Sequence, residues 1–170
     1  MVRVRRILVE TLLAGVRWPE QKAPRIQQVL REITARCDGI LSLDFLADLE
    51  IVAARAWLES MSGVGPKTSA AVLLFSTLRK PALPVDSHHH RVAQRVGLIG
   101  DKVGAVAAHA LLQSQLPPDW DAQQIYDNHE LLMLHGQKVC HYQAPQCTRC
   151  VLTDLCDYYQ RLCAQDQQIE

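Results

Sequence analysis

Aromatic residues are scarce, at 5% of 170 residues, and no long stretch alternates apolar with polar side chains at period two. Strands, which favour aromatic and β-branched residues, therefore have little to build from. Net charge is absent as well. The chain balances 18 Lys and Arg against 18 Asp and Glu, which excludes a protein that holds a polyanion by bulk electrostatics alone. No apolar run approaches the roughly 18 residues that a membrane helix needs, and the longest near the start, Ile7 to Val16, is broken by Glu10. Arginines at positions 3, 5 and 6 precede that run, but no small-residue cleavage site follows, so the opening reads as a helix and not as a secretion address. Internal repeats are missing, and Gly 8 and Pro 8 are too few for a low-complexity chain. What these absences leave is a soluble globule of one domain or two small lobes with a shared core.

Helical periodicity fills the chain instead. Val4, Ile7, Leu8, Leu12 and Leu13 form one apolar face and Ile26, Val29, Leu30 and Ile33 a second, with Pro24 expected in that helix's first turn and a break at Asp38-Gly39. Ser42 or Asp44 is expected to cap a short helix. Ile51, Ala54, Trp57, Leu58 and Met61 then make a stripe that stops at Ser62-Gly63, and a helix runs from Lys67 through Phe75. After Pro81 and Pro84, Asp86 or Ser87 can cap a helix carrying Val92 and Val96, and further helices are expected at about 103–115 and 122–134. The two halves differ in charge. Residues 1–80 carry +4 and residues 81–170 carry −4, so a polyanionic partner should favour the first half.

Two local patterns bear on chemistry. In Ser62-Gly63-Val64-Gly65-Pro66 the glycines permit a left-handed turn and close approach of a ligand. The amides of Gly63, Val64 and Gly65 would then face outward beside a helix N-terminus, which suits a phosphate oxygen; a helix corner that merely needs glycine is the alternative. The other pattern is the cysteines. Four of the six, Cys140, Cys147, Cys150 and Cys156, give the spacing C-x6-C-x2-C-x5-C. Disulfides would require an oxidising compartment, and a four-thiolate zinc site usually pairs two C-x2-C knuckles where only Cys147 and Cys150 have that spacing, so a [4Fe-4S] cluster is favoured over both. His88, His89 and His90 cannot converge on one ion, because successive helical side chains point about 100° apart. His89 and His90 are surface or packing positions. His109, His129 and His135 read as structural, Cys37 as a buried thiol and Cys163 as a tail residue.

Taken together, WLESMSGVGPKTSAAVLL, LPVDSHHHRVAQRVGL, the HGQ at 135–137 and the cysteine loop occur in one order from about Gln21 to Cys156. The chain resembles the endonuclease III branch of the helix-hairpin-helix DNA glycosylases. That resemblance implies an all-α fold, a helical barrel bearing a helix-hairpin-helix at about 50–78 and an Asp-bearing segment at 84–97 within residues 1–115, and an iron-sulfur lobe over residues 116–170. It implies Lys67 as nucleophile and Asp86 as the catalytic carboxylate, Cys140, Cys147, Cys150 and Cys156 as ligands of a [4Fe-4S] cluster, and double-stranded DNA with damaged bases or abasic sites as partner. DNA contacts are expected at Gly63, Val64, Gly65, His88, Lys138 and Arg149. The activity implied is base excision with apurinic/apyrimidinic lyase cleavage, in the cytoplasm and beside the nucleoid if the source is bacterial.

Both residue types suit that chemistry. A carboxylate stabilises the oxocarbenium-like state at the sugar's C1′, and a neutral amine can attack the same carbon to give a Schiff base. Lysine's ordinary pKa is about 10.4, and burial in a closed DNA complex lowers it further than a helix N-terminus can. The family's monofunctional adenine-removing members lack this lysine, and a catalytically inactive DNA-binding module would keep every motif; these are the rival readings. Two departures stand out. The loop HYQAPQ at 141–146 has no Lys or Arg, and the helices that the family places before the segment matching Gln21 are missing. The barrel is therefore expected to be incomplete, through an internal start at Met1, through residues 1–20 standing in for the missing helices, or through self-association that covers the open face.

Overall fold

A computed structural model describes the backbone of residues 6–166 and the side chains of residues 8–165. Among these residues the chain is helical, with no strand: α1 (Arg6–Leu12), α2 (Pro19–Arg36), α3 (Ile51–Glu59), α4 (Pro66–Phe75), α5 (Ser87–Val96), α6 (Ala105–Gln115), α7 (Ala122–Lys138) and α8 (Asp157–Asp166), with 3-10 turns at Asp44–Asp48, Cys147–Arg149 and Thr153–Leu155. None of these helices is long and apolar enough to cross a membrane. Val4, assigned to the first apolar face, lies outside the described residues.

The chain divides between Gly65 and Pro66 into two compact units. In the first, α2 starts earlier than its apolar stripe. Pro19 occupies its first turn and Pro24 lies inside the helix, so Pro24, contrary to expectation, removes an internal amide donor and interrupts the hydrogen bonding of the second turn. Arg36, at the end of α2, spans to α3, donating to the Ser60 hydroxyl at 2.7 Å and lying 5.5 Å from the Trp57 ring centre. Phe45 meets the same Trp57 edge-on at 4.9 Å. Asp44 begins a 3-10 turn and not an α-helix; Ser42 serves it by accepting from the Asp44 amide at 3.0 Å. Cys37 caps α2 and is only half-buried, so it is not the core thiol expected.

The second unit packs α4, α5, α6 and α7 around Leu74, Leu83, Val85, Ala93, Ile99, Leu112 and Ile125. Asp86 caps α5, as its position before the apolar stripe predicts, and α5 stops at Gly97, whose φ of 90° an L side chain would resist. Asp121 and Gln124 form a reciprocal capping box at the start of α7. The sequence places the end of α7 near 134, but the helix continues through Gly136 to Lys138. Helix α8, which has too few apolar residues to show a stripe, is held by Tyr158, whose ring lies 4.6 Å from the Arg95 guanidinium, and by an ion pair from Arg161 to Asp101 at 2.9 Å.

Candidate active site and cysteine cavity

Glycine at position 63 takes φ 88° and stands free of crowding, with the Arg25 side chain 3.6 Å from where a Cβ would lie. Its neighbour Val64 spends its amide within the turn, donating to the Met61 carbonyl at 3.1 Å. The expectation that all three turn amides face outward is corrected at this position, because closing so short a turn consumes a donor. Pro66 opens α4 and Lys67 follows in the first turn, exposed.

Asp86 begins α5. Its Oδ1 accepts two amides, from His88 at 2.9 Å and from His89 at 2.8 Å, which leaves Oδ2 outside the cap. No ion pair joins Lys67 to Asp86 among the described residues. Both nevertheless act on one side chain. His129 of α7 is held below the ordinary imidazole range first by burial, with Asp86 pulling it up and Lys67 pushing it down. Lys67, Asp86 and His129 therefore share one electrostatic neighbourhood within the second unit.

His129 is not alone there. Its Nδ1 lies 3.4 Å from Nδ1 of His89, the rings stack with centres 5.6 Å apart, and His89 is 1% exposed. Burial lowers the pKa of His89 to about 4, and the nearness of His129 adds to the shift. Sequence reasoning read His89 as a surface or packing position and His129 as structural, and missed their place beside Asp86. Histidine gives no burial signal in a hydropathy pattern, and positions 89 and 129 come together only through the packing of α5 on α7.

Cys140, Cys147, Cys150 and Cys156 line one cavity, together with Arg95 and His135. The Cys147 thiol is pushed up by burial and then by the nearness of the other three. Among the described residues no three His, Cys, Asp or Glu side chains converge as ligands of a single ion would. Helix α5 grips this loop from one face. Arg91 donates to the carbonyls of Gly136 at 2.7 Å and Cys140 at 3.0 Å, and Arg95, one turn on, donates to the Cys140 sulfur at 3.2 Å and the carbonyls of His141 and Tyr142 at 2.7 and 2.9 Å. The i, i+4 spacing puts Arg91 and Arg95 on one face of α5, but their partners lie more than 40 residues away and the spacing does not reveal them. His88, expected at the DNA, has its Nδ1 3.1 Å from Arg91, while Lys138 and Arg149 are exposed.

No family model matches the chain. It is 30% identical to endonuclease III of Sulfolobus acidocaldarius over 129 residues, covering 76% of this chain and 56% of that protein, and 30% identical to endonuclease III of Haemophilus influenzae over 141 residues, covering 83% and 59%. The structure of a trapped endonuclease III–DNA covalent intermediate superposes with a TM-score of 0.72 at 24% identity, covering 94% of this chain and 68% of that one. The chain belongs to the endonuclease III branch of the helix-hairpin-helix DNA glycosylases. A thermostable thymine-DNA glycosylase shares the fold, with a TM-score of 0.70 at 20% identity over 93% of this chain and 67% of that one. Against endonuclease III proteins the chain spans little more than half the length of the curated relatives it matches.

Proposed function

We propose that the chain is a base-excision DNA glycosylase with apurinic/apyrimidinic lyase activity. The observation that carries this reading is the pairing of an exposed first-turn lysine, Lys67, with a carboxylate whose second oxygen is outside its helix cap, Asp86, around the same buried imidazole. Damaged duplex DNA is the substrate. The Asp86 carboxylate stabilises positive charge at C1′ as the base departs with the glycosidic electron pair. The neutral Lys67 amine attacks C1′, and ring opening gives an imine. Loss of a C2′ proton then expels the 3′ phosphate, and water hydrolyses the imine to return the lysine. The amides of Gly63 and Gly65 are the phosphate contacts of the glycine turn in this reading, and His88, Lys138 and Arg149 are further DNA contacts.

The cysteine cavity fits a [4Fe-4S] cluster held by Cys140, Cys147, Cys150 and Cys156. Four thiols around one cavity supply the donor set, and a cubane takes one thiolate at each of its irons. When bound, the cluster orders the loop that carries Arg149. Thiols kept available as ligands favour a reducing compartment such as the cytoplasm in this reading. Leu12, Ile40, Leu41 and Val52 of the first unit are 58–81% exposed, which supports self-association as the cover for that apolar surface.

Borohydride trapping on duplex DNA with one abasic site tests the proposal. The expected result is a covalent band that disappears in Lys67→Ala. Retention of DNA by a folded wild type without any trapped band would overturn the lyase and leave an inactive binding module.

A further inference from the structure

Pro81 to Asp86 is a buried segment outside any helix, and it belongs to no sheet. Ala82, Leu83, Pro84 and Val85 are all buried, so their backbone donors and acceptors need partners that neither water nor a strand ladder supplies. Side chains of α6 and α7 take that role. Gln113 of α6 accepts the Leu83 amide at 2.7 Å and reaches the Pro81 carbonyl at 3.4 Å. His109 of α6 accepts the Val85 amide on Nε2 at 3.2 Å, while its Nδ1 lies 2.8 Å from the Ala105 carbonyl. One tautomer satisfies both contacts: the proton on Nδ1 and the lone pair on Nε2. The Pro84 backbone also acts on His129 of α7, raising its affinity for a proton against the effect of burial. The residue that follows these two clamped positions is Asp86.

We propose that His109 and His129 are positioning residues that hold Pro84 and Val85 from two helices and so fix the Asp86 carboxylate in its place beside Lys67. This rests on the function proposed above. The geometry requires uncharged rings: imidazolium at His109 has no lone pair for the Val85 amide, and a proton on both facing Nδ1 atoms would set His129 against His89. A segment that needs polar partners also explains why a core this apolar contains buried histidines at 109 and 129. Apolar side chains of similar volume would pack there but would strand a buried amide or carbonyl.

The test compares apolar and polar replacements, His109→Leu with His109→Gln and His129→Phe with His129→Gln, in the full chain. An amide can accept as His109 does and can also donate; the hydrocarbon side chains can do neither. Single-turnover excision should fall about 10- to 100-fold in the Leu and Phe variants and recover in the Gln variants, because a displacement of about 1 Å at a catalytic group costs that much. Affinity for duplex DNA holding a reduced abasic-site analogue should change less than about threefold, a split that merely lost folding would not produce. A second readout needs no turnover: the NMR amide signals of His88 and His89, which donate to Asp86, should move in the apolar variants and return in the Gln pair. If a Leu or Phe variant fails to fold, wild-type amide positions and excision rates in the Gln variants still support the bracket. Wild-type excision and unmoved His88 and His89 amides in folded Leu and Phe variants would overturn it. A wild type that neither excises nor crosslinks defeats the functional reading, while the amide signals continue to decide the bracket.

Discussion

Asparagine caps a helix about as well as aspartate but carries no charge, so substitutions at Asp86 separate its two duties. Oδ1 holds the His88 and His89 amides and Oδ2 is outside the cap. Asp86→Asn should therefore leave thermal stability near that of the wild type while excision drops about 10²- to 10³-fold, the usual consequence of losing one group that stabilises transition-state charge. Asp86→Ala should lose excision and also about 1 kcal/mol of stability, read by urea unfolding. Excision surviving in Asp86→Asn would leave the residue as a cap only. His89, three residues on, makes a different prediction. Burial first, and then His129, His109 and His90, hold its pKa down to about 4 against the pull of Asp86. Unfolded, the ring titrates near 6.5, so below that pH the unfolded chain takes up a proton that the fold refuses. Stability should fall as pH drops from about 6.5 to 4 and level off below, by about 2–4 kcal/mol from this residue. His129, lowered in the same direction, adds to the slope. Urea unfolding at steps between pH 7.5 and 4 measures it, and a flat profile would mean that His89 is charged in the folded protein.

Helix α7 passes through a glycine because packing outweighs propensity at that position. A Cβ on Gly136 would stand 2.9 Å from the His88 Cβ and 3.0 Å from the His88 carbonyl oxygen, and both belong to the rigid first turn of α5. Gly136→Ala should therefore push the two helices apart and cost about 1–3 kcal/mol, visible as a lower melting temperature. Because α5 starts at Asp86, excision should fall with it. An unchanged melt would show that the helices yield without cost. The same glycine marks how far the sequence could be read. Helix starts were legible where a side chain caps them, as at Asp86 and Asp121, because the cap is a local bond between near neighbours. The end of α7 was not, since the helix runs past 134 to Lys138 with Gly136 packed on His88, a contact between distant residues. Pro24 misled in the same way, and α8 was hidden because Arg95 and Asp101, both distant in sequence, hold it. In the candidate site, spacing singles out the four cysteines and the motifs single out Lys67 and Asp86, and the structure adds that the cysteines line one cavity. The Arg91 and Arg95 clamp and the three buried histidines depend on which helices meet, and no local pattern encodes that.

At the scale of the molecule, a net charge of zero limits how DNA can be held. Each phosphate neutralised contributes about 0.9 to the slope of log affinity against log salt, and a chain without excess positive charge has few such contacts to offer. Lys138, in the last turn of α7, and Arg149, in the 3-10 turn of the cysteine loop, are exposed, and the intervening loop from His141 to Gln146 contains no cation. Affinity for undamaged duplex should thus show a shallow salt slope, on the order of −2 to −4, set by these two side chains and the hairpin turn. Lys138→Ala and Arg149→Ala should each lower the slope by about one and weaken binding to all sequences alike. Binding titrations from 50 to 200 mM salt, on the order of the range in which such slopes are read, provide the measurement. A slope unchanged in the double variant would remove both residues from the interface. Discrimination between damaged and intact duplex should survive the double variant, because phosphate contacts position the protein while contacts to an extruded base select it.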